Sequence, residues 1–308
     1  MKLWQKRRGQ AGFAGVGIHP DGVSFVQVES RGQDAPVVTA WDFRSVMDGA
    51  DFARVLAQLA DDYGLRRVHC ITLLDPFDYR LLAAEAPPVP PEELADAMRW
   101  RVKDLLDFNI QEATLEVFPS PVKPAGSDLR PVYVVVAHNT ALRQRIHLLD
   151  GANINVEVVD IPELALRNVA SLLDRENRGV ALLSLAENSG FITLTRRNVL
   201  YMSRTLNIAL DELRDTTERA PLLDRIVLEV QRSLDYYVSH LRQAPVDRLM
   251  LAPLPAGFPG LDNYFSDRLG IPVSLLRLND LAQWPTALPA DMEPRCLATF
   301  GAALRQMH

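Results

Sequence analysis

A chain of 308 residues, 48% hydrophobic and 23% charged, is long enough for two sizeable cores and too apolar for disorder. Its net charge of −6 and sequence pI of about 5.6 argue against a general nucleic-acid binder, which carries a basic excess. No apolar run reaches the roughly 18 residues of a spanning helix, no leader is expected, and Cys70 and Cys296 make no disulfide framework, so a cytoplasmic protein is expected.

Residues 1–12 form a basic tail in which Lys2, Lys6, Arg7 and Arg8 surround Leu3 and Trp4. Such a segment fits peripheral contact with an anionic inner leaflet, at roughly 1 kcal/mol per basic residue. A solvated, frayed terminus fits it equally. Strand-like runs at 13–18 and 23–28 flank His19-Pro20-Asp21-Gly22, which predicts a β-hairpin: proline fixes one φ and Gly22 supplies a positive one. A third strand is predicted over 35–43. The spacing of Phe52, Val55, Leu56 and Leu59 predicts a helix over Phe52–Tyr63, and a buried strand follows at 68–74. This is the opening of an α/β domain.

Pro87, Pro88, Pro90 and Pro91 then mark a connector. Pro91, Glu92 and Glu93 suit a helix start, because proline loses nothing there and acids meet the positive dipole end. The helix is predicted over 92–107, with Leu94, Met98, Val102 and Leu105 on one stripe. Strands at 114–118 and 132–137 across a Pro-rich hairpin loop, a helix at 140–149 and a strand at 156–159 complete a small α+β unit. A second hairpin-led sheet is predicted at 180–185, 191–195 and 199–204, turning through Ala186-Glu187-Asn188-Ser189-Gly190. A helix over 222–241, a strand at 248–252, a helix at 261–269, a strand at 273–276 and a helix at 296–305 follow. Two halves that each open with a hairpin around a glycine turn amount to a duplication.

Four runs carry a family resemblance: Gly17-Ile18-His19, the segment 159–167 (Val-Asp-Ile-Pro-Glu-Leu-Ala-Leu-Arg), the segment 229–237 (Glu-Val-Gln-Arg-Ser-Leu-Asp-Tyr-Tyr) and the segment 298–305 (Ala-Thr-Phe-Gly-Ala-Ala-Leu-Arg). In this order they resemble the PilM family of type IV pilus assembly. The segment 85–105 is similar, more narrowly, to its MshI-type counterparts of the mannose-sensitive haemagglutinin pilus. The resemblance implies an α/β, actin-like fold of the Hsp70/sugar-kinase superfamily, FtsA/PilM-like, with duplicated domains and an inserted α+β subdomain. The first core would comprise 13–85 and 155–176, the insertion 86–154, and the second domain 177–308, with a helical part at about 207–244.

In that superfamily the hairpin turns grip nucleotide phosphates through backbone N–H groups, and a carboxylate at each turn holds magnesium or water. Here His19 and Pro20 stand where the family has its first aspartate, and Phe25 or Val26 where it has a lysine. Ser184 and Ala186 replace Asp and Gly at the second turn, followed by Glu187. Pro253 and Pro255 remove donors at the adenosine turn. The resemblance therefore implies a degenerate nucleotide pocket at Gly17, His19, Gly22, Ser184, Glu187, Gly190, Gly257 and Gly260, with no catalytic residue, no metal and no enzyme activity. No cofactor is expected, weak ATP binding through the glycine turns excepted; turn geometry alone also accounts for those glycines.

The family role left is that of an adaptor at the inner face of the bacterial inner membrane. It would bind the N-terminal cytoplasmic tail of a single-span pilus-assembly membrane protein, with the assembly ATPase as a further partner. The resemblance implies that the tail lies in a groove between the first core subdomain and the inserted module, near the helix at 92–107 and the strands beside it, where Arg99, Trp100, Arg101 and Phe108 include residue types enriched in interface hot spots. Packing of Trp100 within its own unit is the competing reading. The functional alternative is an ATP-binding, weakly hydrolysing regulator whose nucleotide state gates pilus assembly.

Overall fold

The computed structural model describes residues 13–29, 35–46, 52–121, 130–186, 190–208, 210–214, 219–255 and 258–305. Strands β1 (Phe13–His19) and β2 (Gly22–Glu29) form the first hairpin, closed by Pro20 and Asp21 with His19 opposite Gly22. One expectation needs correction. Gly22 has no positive φ; it is required for room, since a Cβ would strike the Arg44 carbonyl and lie 2.7 Å from Phe43 Cζ. Strand β3 (Val37–Ser45), helix α1 (Phe52–Tyr63) and strand β4 (His69–Leu73) follow, and α1 buries Val55, Leu56, Leu59 and Ala60 on the stripe their spacing prescribes.

The chain then makes β5 (Tyr79–Ala86), α2 (Leu94–Val102), β6 (Ala113–Pro119), β7 (Arg130–His138) and α3 (Asn139–Gly151). The helix expected over 92–107 is shorter as an α-helix, with 3₁₀ turns at Pro91–Glu93 and Lys103–Leu105 on either side. Strand β5 is a surplus over the sequence reading, which grouped this stretch with the first core. It pairs instead with β7, giving a three-stranded sheet of order β5-β7-β6. Met98 and Val102 of α2 pack on that sheet against Leu115, Val132, Val134 and Val136.

Strand β8 (Val156–Asp160) returns to the first sheet, and helix α4 (Pro162–Leu173) leaves it. The second half runs β9 (Val180–Leu185), β10 (Gly190–Arg196), β11 (Val199–Leu206), α5 (Arg219–Ser239), β12 (Leu249–Leu251), α6 (Leu261–Leu269), β13 (Val273–Leu275) and α7 (Glu293–Ala303). The two five-stranded sheets have orders β3-β2-β1-β4-β8 and β11-β10-β9-β12-β13, so the same topology occurs twice. In each, an antiparallel hairpin and its third strand join two parallel strands, of which the inner ones, β4 and β12, are the buried ones.

The two closing helices tie the halves together. Helix α4 follows the first sheet but packs on β9 and β10, whereas α7 follows the second sheet and packs on β1, β2 and β4. They also pack on each other, where Gly301 sits so close that a Cβ would strike the Ala165 carbonyl. Asn168 Nδ2 donates to that glycine's own carbonyl at 2.9 Å. Gly15 of β1 likewise leaves no room for a Cβ against the backbone of Thr299. Among the described residues no helix is long and apolar enough to cross a membrane.

Candidate functional site

At the first hairpin a buried polar row joins three elements. Ser24 Oγ of β2 lies 2.7 Å from His19 Nε2 of β1 and 2.5 Å from Thr299 Oγ1 of α7. Gly17 stands opposite Ser24, and a Cβ there would collide with the hydroxyls of both Ser24 and Thr299. The missing side chain at 17 is what admits the row. Burial pushes the His19 imidazole below its ordinary value of 6.5, with Asp21 pulling the other way, so the ring is neutral at pH 7. Asp21 itself is ion-paired with Arg295 of α7, whose guanidinium lies 4.8 Å from the Phe43 ring centroid. A second ion pair, Arg145 with Asp75 at 2.7 Å, is close enough to act on the imidazole.

Ser184 pairs with Phe191 and Leu185 with Gly190 across β9 and β10; a Cβ on Gly190 would sit 3.1 Å from Leu185 Cδ2 and 3.2 Å from Leu206 Cβ. After β12, the Ala252 N–H donates to the Leu183 carbonyl at 2.8 Å, and Phe258 is buried beneath the guanidinium groups of Arg214 and Arg219. Gly260 adopts φ 75° at the start of α6, in open space. Glu187, Gly257 and the tail residues Lys2, Trp4, Lys6, Arg7 and Arg8 lie outside the described residues.

The residues expected on the partner face separate into two kinds. Arg99 is turned inward: its Nη1 donates to the carbonyls of Ile110 at 2.7 Å and Ala113 at 3.1 Å, which staples α2 to the start of β6. Phe108 is half-buried against His138, with ring centroids 3.7 Å apart. Trp100, by contrast, is 69% exposed and Leu105 63% exposed. Lys103 Nζ lies 5.2 Å from the Trp100 ring centroid, and Arg101 is exposed beside them. Trp100 therefore does not pack into its own unit.

A cleft of about 600 Å³ opens between β5 and α4 on one side and β10 and β11 on the other. Within it Glu163, only 3% exposed, accepts a hydrogen bond from the Tyr79 hydroxyl. Burial pushes the Glu163 carboxyl up and that hydrogen bond opposes the rise; burial holds the Tyr79 hydroxyl well above its ordinary range. Phe77, 66% exposed, also lines it. Elsewhere between the module and the second half, the Tyr133 hydroxyl of β7 donates to the Tyr201 carbonyl of β11 at 2.6 Å. Sequence reasoning assigned no role to Glu163 or Tyr79. They are 84 residues apart, and the placing of strand β5 brings them together.

Among the described residues no cluster of three or more His, Cys, Asp or Glu side chains could hold a metal ion. Cys70 and Cys296 are buried, and burial pushes both thiols up to about 12, which leaves them unreactive.

No protein-family model matches the chain, and no curated protein does. Solved structures do. PilM, in a structure described as a PilM-PilN type IV pilus biogenesis complex, is 19% identical with a TM-score of 0.74, over 95% of this chain and 98% of that one. The cytoplasmic domain of EpsL, an inner-membrane component of the type II secretion system of Vibrio cholerae, is 13% identical with a TM-score of 0.54, over 96% of each chain. A Bacteroides thetaiotaomicron protein of actin-like ATPase fold is 10% identical with a TM-score of 0.50, over 96% of this chain and 98% of that one. At such identities the likeness speaks for architecture, and the chain has the actin-like fold.

Proposed function

We propose that this chain is a nucleotide-independent scaffold of a type IV pilus or type II secretion assembly. It works in the cytoplasm at the inner membrane and binds the cytoplasmic tail of a small single-span membrane protein. The observation that carries this reading is the His19–Ser24–Thr299 row at the first hairpin. A magnesium triphosphate needs carboxylates for the metal and open backbone N–H groups for the phosphates. The residues present do not fit it: a neutral imidazole occupies the acid's place, the room beside Gly17 is filled by two hydroxyls, and Asp21 is neutralised by Arg295.

The binding role is supported by the surface of α2. Trp100 and Leu105 are large apolar side chains left to solvent, with Lys103 and Arg101 alongside, and an exposed aromatic–aliphatic pair is the composition of an interface anchor. Arg99 and Phe108 would hold that surface in shape rather than touch the tail. PilM's description as a complex with PilN, and EpsL's as an inner-membrane component, favour a membrane-anchored partner. The segment 85–105 favours the mannose-sensitive haemagglutinin type of pilus, and the assembly ATPase is the second partner of the reading.

Calorimetry tests this directly. Mg-ATP should give no saturable heat, while the N-terminal cytoplasmic peptide of a candidate single-span partner should bind and lose affinity in Trp100→Ala. Tight ATP binding would overturn the reading and bring forward a nucleotide-gated regulator.

A further inference from the structure

The end of the second five-stranded sheet where β9 begins carries chemistry that the scaffold reading leaves unused. Three loops meet there: 174–179 before β9, the β10–β11 turn at 197–198, and 240–248 between α5 and β12. Asp174 stitches the first two, accepting from the Gly179 N–H at 2.9 Å and the Arg197 N–H at 2.8 Å. Arg196 adds the third, donating to the Asn177 carbonyl at 2.8 Å and to Gln243 Oε1 at 3.1 Å. This is the far end of β9 from the turn at 186–189.

The loops bring together Arg175, Arg178, Arg196, Arg197, Arg242 and Arg248, all exposed except the half-buried Arg196. Against them stand Asp174, whose oxygens are taken by backbone N–H groups, and Glu176 and Asp247, which share Arg178 at 3.6 and 2.6 Å. Arg175, Arg197, Arg242 and Arg248 have no ion pair among the described residues. Two of them go against the preference of the backbone. Arg197 has φ 51° and Arg242 φ 52°, in the left-handed region where glycine or asparagine is favoured. Val199, 37% exposed, adds an apolar foot two residues on from Arg197. In a chain of net charge −6 this is a locally cationic face.

We propose that this end of the second sheet docks on an anionic lipid surface and sets which way the chain faces the membrane. The proposal rests on the reading that places the chain at the inner membrane, and it does not involve the partner's tail. Guanidinium forks spread over three loop tips match a broad field of phosphates better than one enclosed anion, and the cytoplasmic leaflet supplies such a field. An anionic membrane repels a chain of this net charge except at a basic face, so the arginines also select the orientation. The basic tail can reach the same surface. It joins the fold at Phe13, which pairs with Val28, and Val28 shares an apolar cluster with Val180 at the start of β9. Residues 1–12 span at most roughly 40 Å when extended.

The test is sedimentation of the full chain with vesicles of phosphatidylethanolamine and phosphatidylglycerol, against vesicles of phosphatidylcholine. The chain should bind the anionic vesicles alone, and less tightly as salt is raised. In Arg197→Asn with Arg242→Gly, affinity should fall about 30-fold, at roughly 1 kcal/mol per basic residue. Both replacements suit the backbone at those positions, so the unfolding midpoint should hold or rise. Arg175→Ser with Arg248→Ser should lose a similar factor. Arg143→Ser with Arg225→Ser, which removes the same charge from exposed positions on α3 and α5, should change affinity less than about twofold. Equal binding to neutral vesicles, unchanged affinity in either patch variant, or an equal loss in the Arg143 and Arg225 control would overturn the proposal. A loss seen only when Lys2, Lys6, Arg7 and Arg8 are replaced by serine would overturn it too, by assigning the contact to the tail. Tighter binding of duplex DNA or polyglutamate than of the vesicles would overturn the lipid assignment. If the partner's tail peptide binds and the vesicles do not, this proposal fails and the scaffold reading stands. If the vesicles bind and no tail peptide does, the reverse holds.

Discussion

The first hairpin and the outer surface of α2 are opposites in how far the chain satisfies its own groups. At the hairpin, His19, Ser24 and Thr299 complete one another, Asp21 is answered by Arg295, and glycines at 15 and 17 let α7 press against the strands. At α2 and the 3₁₀ turn that follows it, Trp100 and Leu105 are left uncovered. A region that is internally complete has little left with which to bind, and one with exposed anchors is unfinished without a partner. In an actin-like fold the hairpin is where nucleotide chemistry would be sought, so the contrast moves attention from the turn to the inserted module.

Four changes would sharpen or break this contrast. The largest effect is expected from Gly15→Val, which drives a branched side chain into the Thr299 backbone; about 3 kcal/mol or more should be lost in urea unfolding. A near-neutral result would mean the hairpin and α7 are not closely fitted. Ser24→Ala should cost about 1–3 kcal/mol, because His19 and Thr299 lose their shared buried partner. It should leave tail binding untouched.

Acidification probes the same row more gently. The folded state holds His19 neutral, so its contribution is complete above the ordinary value of 6.5 and is lost as pH falls from there through the lowered folded value. Stability of the wild type should fall more steeply than that of His19→Gln across this window, and parallel curves would remove His19 from the account. The smallest effect on stability belongs to Trp100→Ala, within about 0.5 kcal/mol. Its affinity for the tail peptide should nonetheless fall about 30-fold, the size of a hot-spot loss of roughly 2 kcal/mol. A large stability loss with unchanged affinity would show that Trp100 belongs to the module's core.

Much of the architecture was legible locally. The Pro20-Asp21 turn, the stripe of α1 and the apolar spacing of α5 each lie within a single stretch of sequence. Strand β5 was not legible, because Leu81-Leu82-Ala83-Ala84 has helix-forming residues, and pairing with β7 is what makes it extended. Gly22 was assigned to a turn for a φ it does not adopt; its constraint comes from β3, which the local pattern cannot reveal. That His19 stands at the first turn could be read from the sequence, but what packs around it could not, since Thr299 arrives from 275 residues beyond Ser24. Arg99 and Trp100 are neighbours of a type that sequence alone treats alike, and only the carbonyls of Ile110 and Ala113 tell them apart.

The exchange of α4 and α7 between the sheets also sets a clock. During synthesis at about 5–20 residues per second, roughly 15–55 s separate the emergence of Ser24 from that of Thr299. For that interval the face of β1 and β2 that α7 will cover stands bare, with an apolar strip beside unanswered polar groups. The first half therefore cannot close its core on its own, and its folding is finished by one of the last helices made.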